Sequence, residues 1–237
     1  MLFFYLRHAD PIYNPDSLTP QGLLQADALA KRLALYGIDR IFASSSNRAQ
    51  MTARPTADLV NKNVEIVDFA NEEHAWRELT VKRDEVSMTW LFQHTPTVEL
   101  FHSDEIMRLG YEWYKHPAFA EYDFRSGIER IGREADAFFL RLGYRHEGFG
   151  KYKVVKKSDE RVALFAHQGF GIAFLSHVLG IPYPRFASHF DMGHSGMTVI
   201  EFNDEDGYSY PRVLTLANDA HLLREGLPTR YQNRLYF

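Results

Sequence analysis

The apolar pattern of the chain begins with five consecutive apolar or aromatic residues at positions 2–6, followed by Arg7, His8 and Asp10. A continuous apolar run of this length is typical of a strand that is buried on both faces of a sheet. Open α/β sheets place their sites at the carboxyl ends of such strands. We therefore expect a cation and a nitrogen nucleophile at one strand end, a pair suited to an anionic substrate.

Helix and strand patterns then alternate along the chain. Two prolines and several turn-forming residues predict a loop over 10–17. Thr19-Pro20 is typical of a helix start, because threonine caps well and proline suits the first helical position, and Gly37 is a plausible end. A strand follows over 38–43, so the order indicates a parallel sheet with a right-handed crossover. The predicted buried stripe of the helix is Leu23, Leu24, Ala28, Leu33 and Leu35.

A second helix start follows that strand, within Ser44 to Ala53. Small hydroxyl residues followed by a helical pattern indicate a helix N-terminus. The free N–H groups and the helix dipole at such an end favour an anion. Arg48 would point to the same end. Capping by serine with a solvated arginine would explain this segment alone, but its place beside Arg7 and His8 favours an anion site.

The remainder of the chain predicts a third strand at 64–67, a long insertion at about 80–157 and a strand at 162–166 that ends in His167. The insertion is rich in aromatic residues, and helical spacing from Ile128 to Phe139 predicts a long amphipathic helix. We expect a strand at 151–155 to form a hairpin with the His167 strand, then a helix at about 172–179. Residues 197–202 and 212–217 predict a closing strand pair. No linker isolates the insertion, so it is predicted to be a cap on a single domain over 1–237.

Composition narrows the class of protein. The chain has 237 residues, 45% of them hydrophobic, a net charge of −4 and no cysteine. Disulfides, thiolate catalysis and cysteine metal sites are thereby excluded. The charge gives no overall signal for nucleic acid, and no apolar run reaches the roughly 18 residues of a membrane span. We expect a cytoplasmic protein without a nucleic-acid or membrane partner.

Four short motifs together resemble the histidine phosphatase (phosphoglycerate mutase-like) superfamily. The motifs are Leu6-Arg7-His8-Ala9, Leu18-Thr19-Pro20-Gln21-Gly22 with Gln25-Ala26, the segment from Ser44 to Ala53, and the strand from Val162 to His167 with Gln168-Gly169. They stand in the family's order and span most of the chain. One departure is Ala9, where the family usually has glycine, and its methyl group could narrow the floor of the pocket.

The resemblance implies an α/β fold with a mostly parallel central sheet, helices on both faces, and an aromatic-rich helical cap. It also implies a small phosphorylated substrate, whose phosphorus His8 attacks to give a phosphohistidine. Arg7, Arg48 and His167 would hold the phosphoryl oxygens and stabilise the charge of the transition state. Water would then hydrolyse the intermediate.

A member of this family also needs a general acid, usually a carboxylate after the third strand. Glu72 is the first choice, Glu73 is close behind and Asp68 is third. Asp10, beside the nucleophile, is another carboxylate that could move a proton. A surface salt bridge would equally explain each of them.

Metal and cofactor sites are not predicted. The pairs His8 with Asp10 and Asp191 with His194 could suggest a metallohydrolase, but no metal-ligand spacing such as His-Glu-x-x-His appears. The resemblance implies catalysis without a metal, and His194 would border the phosphate pocket.

Three hypotheses remain open from the sequence. The chain is a metal-independent phosphomonoesterase, a phosphoglycerate mutase-type isomerase with the same phosphohistidine, or a non-catalytic protein that binds a phosphate ligand. The presence of all four core residue types disfavours the third. The segment after His8 and the long insertion do not follow the mutase pattern.

Overall fold

The structure is a computed structural model that describes residues 1–229; the last eight positions of the domain predicted over 1–237 lie outside the described residues. The strands, in chain order, are β1 (Leu2–Arg7), β2 (Pro11–Tyr13), β3 (Asp16–Leu18), β4 (Arg40–Ala43), β5 (Val64–Ile66), β6 (Thr80–Lys82), β7 (Met88–Trp90), β8 (Tyr144–His146), β9 (Tyr152–Val154), β10 (Arg161–Ala166), β11 (Met197–Glu201), β12 (Tyr208–Ser209) and β13 (Arg212–Asn218). The α-helices are α1 (Pro20–Tyr36), α2 (Asn47–Val60), α3 (Glu72–Glu78), α4 (Thr95–Phe101), α5 (Asp104–Leu109), α6 (Phe124–Arg141), α7 (Gln168–Leu179), α8 (Tyr183–His189) and α9 (Ala220–Arg224).

The central sheet has the strand order β13-β11-β1-β10-β4-β5. Strand β1 pairs in parallel with β10, β10 with β4, and β4 with β5, whereas β11 runs antiparallel to both β1 and β13. The predicted mostly parallel α/β sheet, with β1 at its centre and a closing strand pair at one edge, is confirmed.

Helices cover both faces of this sheet. On one face, Phe4 of β1 packs with Leu29 and Leu33 of α1. On the other face, Phe3 lies 5.1 Å from Phe139 of α6, and Tyr5 lies 5.7 Å from Phe174 of α7, measured between ring centroids. Alternate side chains of one strand thus fill two separate cores.

The start and end of α1 are as predicted: Thr19 accepts a hydrogen bond from the Gly22 amide, and Gly37 adopts the left-handed conformation. The predicted buried stripe is wrong at Leu23, Leu24 and Leu35, whose side chains are exposed. The helix packs on α2 and the sheet through small side chains that permit a close approach. The buried residues are Gly22, Gln25, Ala26, Ala28, Leu29, Ala30 and Leu33.

Two local predictions are also wrong. Residues 10–17 are not simply a loop, because β2 and β3 form a short hairpin. Strand β9 does not pair with β10 but with β8 and β12, in a separate three-stranded sheet. Because β1 and β4 occupy both edges of β10, that strand has no edge left for a hairpin partner.

The insertion contains the predicted long helix, α6, which packs on α7. Most of its large aromatic side chains are buried: Trp113, for example, stacks on Phe124 and on Tyr183 at ring-centroid distances of 5.6 and 5.3 Å. These side chains belong to the same apolar cluster as Phe3 of β1. None of the helices within residues 1–229 is long and apolar enough to cross a membrane.

Candidate active site

The carboxyl ends of β1 and β10 bring two histidines together. Since Arg7 pairs in register with Ala166, His8 and His167 leave the sheet side by side. Their ring centroids are 5.1 Å apart, and both side chains are almost fully buried. The N-termini of α2 and α7 begin next to these strand ends, so the positive ends of two helix dipoles face the same space.

The His8 ring is held in one orientation by its own backbone neighbour. Its Nδ1 lies 2.7 Å from the carbonyl oxygen of Ala9. A carbonyl can only accept, so Nδ1 carries the proton and Nε2 keeps its lone pair. Burial, His167 and Arg7 hold the pKa of His8 well below its ordinary value. The neutral ring therefore presents an unprotonated nitrogen.

Arg7 is held by two residues that precede β11. It donates to the carbonyl oxygen of Met192, and its Nη2 lies 2.9 Å from Nε2 of His194. Because a guanidinium only donates, His194 accepts through Nε2, and its Nδ1 lies 3.3 Å from a carboxylate oxygen of Asp10. His194 thus borders the site and positions Arg7.

Arg48 extends from the first turn of α2, where Ser46 is the N-cap. Its Nη1 is 2.8 Å from the carboxylate of Asp16, and its Nη2 is 3.3 Å from Nδ1 of His167. In the described part of the chain, the buried Nε atoms of Arg7 and Arg48 have no hydrogen-bond partner. Both guanidinium groups keep a donor that an oxyanion could use.

His167 is held by two serine hydroxyls that follow β4. Its Nε2 lies 2.8 Å from Oγ of Ser44 and 3.2 Å from Oγ of Ser46. Burial first, then Arg48 and Arg7, hold the pKa of His167 well below its ordinary value. The Nδ1 atom faces Arg48 and the carboxylate of Glu72, which is 3.8 Å away.

Glu72, at the first position of α3, places its carboxylate against the start of α7. It accepts hydrogen bonds from the backbone N–H groups of Gly169 at 2.8 Å and Phe170 at 3.4 Å. Glycine is needed at 169, because a Cβ atom there would lie 2.4 Å from the Trp90 ring and 2.7 Å from the Glu72 carboxylate. Burial raises the pKa of Glu72 to about 7, although the two amides and both arginines oppose the rise.

The other two candidate acids have different surroundings. Glu73 lines the same cavity, but its side chain is 66% exposed and pairs with Arg77. Asp68 is 71% exposed and lies 3.0 Å from His74. Hydrogen bonds from Ser45 and His74 lower the pKa of Asp68, which makes it a poor proton donor. Of the three side chains, that of Glu72 is the least exposed, and burial favours its protonated form.

These groups open into a cavity of about 780 Å³. Arg7, His8 and Arg48 lie among its lining residues, together with the aromatic side chains Tyr13, Trp76 and Trp90. Its remaining lining residues are Asp16, Ser45, Ser46, Asn47, Asn71, Glu72, Glu73, Gln93 and Gln168.

A comparison with known proteins shows which family and which folds the chain resembles. Residues 5–99 match the family model of the histidine phosphatase superfamily (branch 1). Solved structures with the same fold cover more than nine-tenths of the chain. The chain has a histidine phosphatase fold. The resemblance read from the four motifs is confirmed, whereas no curated protein sequence matches the chain significantly.

Three solved structures illustrate the likeness. A phosphoserine phosphatase from Entamoeba histolytica, in complex with 3-phosphoglyceric acid, has a TM-score of 0.60 at 16% identity, over 93% of this chain and 98% of that one. An α-ribazole phosphatase from Shigella flexneri has a TM-score of 0.58 at 19% identity, over 92% and 97%. A mycobacterial glucosyl-3-phosphoglycerate phosphatase with VO3 has a TM-score of 0.57 at 19% identity, over 90% and 97%. At these identities the likeness concerns the fold.

Ala9 does not narrow the pocket of this histidine phosphatase fold. Its side chain is fully buried in a small apolar cluster with Leu18 and Ala26, and it does not line the cavity. Its backbone N–H donates to the hydroxyl of Thr52. The methyl group therefore packs within this apolar cluster, away from the cavity.

Sequence reasoning missed Asp16, which pairs with Arg48 and also accepts a hydrogen bond from the backbone N–H of Asn47. The sequence places Asp16 only within the loop predicted over 10–17. No signal in the spacing could identify it, because its partners follow about 30 residues later and only the β2–β3 hairpin brings them together.

Proposed function

We propose that the chain is a metal-independent phosphomonoesterase that acts through a phosphohistidine on His8. The observation that carries the proposal is the His8 ring, whose tautomer leaves Nε2 unprotonated in a cavity that Arg7 and Arg48 also line. A neutral imidazole surrounded by cations is suited to attack an anionic phosphoryl group.

In the first step, the Nε2 lone pair of His8 forms a bond to phosphorus, and the bond from phosphorus to the ester oxygen breaks. Glu72 gives its proton to that oxygen, so the alcohol leaves neutral. A pKa near 7 means that a large share of Glu72 is protonated at neutral pH. In the second step, water gives a proton to the Glu72 carboxylate and attacks phosphorus. The phosphorus–nitrogen bond then breaks, and inorganic phosphate is released.

Arg7, Arg48 and His167 would hold the phosphoryl oxygens during both steps. The two arginines supply positive charge, and the positive ends of the α2 and α7 dipoles add to it. Together with the Glu72 proton, these groups perform the tasks that a metal ion has in a metallohydrolase. This assignment of tasks supports a mechanism without a catalytic metal.

The distribution of charge favours a phosphatase over a mutase. Among the described residues that line the cavity, the cationic side chains are Arg7 and Arg48, and both lie at the phosphoryl end. A phosphoglycerate carries a carboxylate in addition to its phosphoryl group, and that carboxylate would face neutral side chains and Glu73. Tyr13, Trp76 and Trp90 instead offer apolar surface. We therefore propose a phosphomonoester whose alcohol part has no second anionic group.

The proposal is tested by turnover of a panel of phosphomonoesters, with 3-phosphoglycerate and phosphoserine as the carboxylate-bearing members. We expect release of inorganic phosphate, with a higher kcat/KM on uncharged alcohols. Interconversion of 2- and 3-phosphoglycerate without phosphate release would contradict it in favour of a mutase. Saturable binding of phosphate without turnover on any ester would instead favour the non-catalytic protein.

A further inference from the structure

A second group of titratable side chains lies at the end of α7 that is remote from His167, where the insertion packs against this helix. It consists of Asp136 on α6, His146 on β8 and His177 in the last turn of α7. We call these three residues the Asp136 cluster. The proposed phosphatase mechanism uses none of them.

The three side chains converge on one point. A single oxygen of Asp136, Oδ1, lies 2.7 Å from Nε2 of His177 and 2.9 Å from Nδ1 of His146. One potential ligand atom from each of the three side chains lies within 4.8 Å of the others, and residues 1–229 contain no other group of three with this property. Two imidazoles and one carboxylate form a ligand set typical of Zn²⁺ and related transition metals.

The packing around the Asp136 cluster keeps the imidazoles in place. The His146 side chain is only 10% exposed, and its ring centroid lies 4.8 Å from that of Tyr152. His177 lies over the backbone of α6 at Gly132, where a Cβ atom would be 3.0 Å from its ring. Glycine inside a helix lowers its stability relative to alanine, so this position makes room for the imidazole at the expense of helix stability.

The carboxylate of Asp136 is suited to be the third ligand. Its Oδ1 atom lies within hydrogen-bond distance of both imidazoles, so it already faces the point on which the two rings converge. Its side chain is 41% exposed, so a cation can reach it from solvent. Water would then be the fourth ligand of the ion. Ligand atoms around a tetrahedral zinc ion stand ~3.3 Å apart, given bonds of about 2.0–2.1 Å. The two distances from the imidazole nitrogens to Oδ1 of Asp136 would therefore have to lengthen by about half an ångström.

We propose that the Asp136 cluster binds one Zn²⁺ ion, with Asp136, His146 and His177 as its protein ligands. The ion would replace the two hydrogen bonds that now join the histidines to the carboxylate. Because the ligands come from α6, β8 and α7, the ion would connect the insertion to the helix that begins at His167. The sequence could not show this site, since the spacings of 10 and 31 residues match no local ligand motif.

The test is zinc binding to the chelator-treated protein, measured by calorimetry and by thermal unfolding. We expect one Zn²⁺ per chain and a higher Tm, neither of which Mg²⁺ reproduces. In Asp136→Asn and in His177→Ala, zinc should bind at least tenfold more weakly. His189→Ala is the matched control, since His189 also lies near a second imidazole, that of His102, at 5.4 Å between ring centroids. That variant should bind zinc as the wild type does.

Unaltered zinc affinity in Asp136→Asn would overturn the proposal, and so would an equal loss in His189→Ala. An anomalous zinc peak in crystals of the wild-type protein gives a second measurement that does not depend on a variant. The peak should lie between the three side chains. A zinc ion found only at His8 and His167 would overturn this proposal and leave the phosphatase mechanism to be judged by turnover.

Discussion

Two groups of histidines in this molecule show how neighbouring charge decides what an imidazole can do. His8 and His167 lie beside Arg7 and Arg48, whereas His146 and His177 lie on either side of Asp136. Burial is the largest cause that holds the pKa values of the first pair well below ordinary, and the guanidinium groups add to it, so those rings stay neutral and their surroundings attract an anion. The carboxylate makes the surroundings of the second pair suited to a cation.

The carboxylates in the two groups differ in the same way. Glu72, buried against the start of α7, has its pKa raised to about 7. Asp136, half-exposed between two imidazoles, has its pKa lowered to about 2. One carboxyl group is thereby prepared to give a proton, and the other to remain an anion. The same residue types thus support proton transfer in one place and ion binding in the other.

The largest effect is expected when the nucleophile is removed. His8→Ala should lower kcat by about 10³-fold or more, because the proposed mechanism forms its covalent bond to phosphorus through this side chain. Vanadate should still bind, more weakly, through Arg7 and Arg48. Both are measured by steady-state turnover and by equilibrium titration with vanadate. His177→Ala is the matched change in the second group, and a comparable loss of kcat there would contradict the separation of roles.

Removal of the proposed acid should have an effect that depends on the leaving group. Glu72→Gln should lower kcat/KM for an alkyl phosphate by roughly 10²–10⁴-fold, and far less for an aryl phosphate whose oxygen leaves without a proton. In the wild type, kcat for the alkyl ester should fall as pH rises through about 7, since Glu72 ionises there. An equal loss on both esters would indicate a binding role, and a silent Glu72→Gln would make Glu73 the candidate.

The raised pKa of Glu72 should also affect stability. Folding favours the protonated carboxyl of Glu72. The contribution of this group to the free energy of unfolding is therefore complete below pH 4.5 and is lost as pH rises towards 7. Between these values the loss approaches ~3 kcal/mol, at about 1.4 kcal/mol for each pH unit. Glu72→Gln cannot ionise and should therefore gain stability relative to the wild type over this window. Urea unfolding at pH 5 and pH 8 measures it, with the exposed Glu73→Gln as a control in which no such gain is expected.

The smallest effect on turnover is expected from a chelator. EDTA should leave hydrolysis of a phosphomonoester essentially unchanged, because arginines and Glu72 supply the charge and the proton. If the Asp136 cluster holds zinc, the same treatment should lower Tm. Loss of turnover that zinc or manganese restores would move the chemistry to a metallohydrolase.

How far the sequence predicts this molecule depends on whether the information is local. The strand ends at Arg7, His8 and His167 are predictable, because each follows a short apolar run that is typical of a buried strand. The N-terminus of α2 with Arg48 is predictable because small hydroxyl residues precede a helical pattern there. The exposed Leu23 and Leu35 of α1 are not, because small residues there decide which face approaches α2.

Contacts that tertiary packing alone creates could not be predicted. Asp16 reaches Arg48 through a hairpin, and the serines at 44 and 46 reach His167 from a neighbouring strand. The pKa of Glu72 depends on its burial against Gly169 and Phe170, nearly 100 residues later. Such partners leave no periodic or spacing signal in the chain.

The central claim is that His8 forms a covalent bond to phosphorus. The most direct test is to mix the enzyme with a ³²P-labelled phosphomonoester, stop the reaction in alkaline denaturant, and map the label. Alkaline conditions are required because phosphohistidine is stable in alkali and lost in acid. We predict label on His8 of the wild type and none in His8→Ala. Label on a serine or aspartate, or turnover that persists in His8→Ala, would contradict the account.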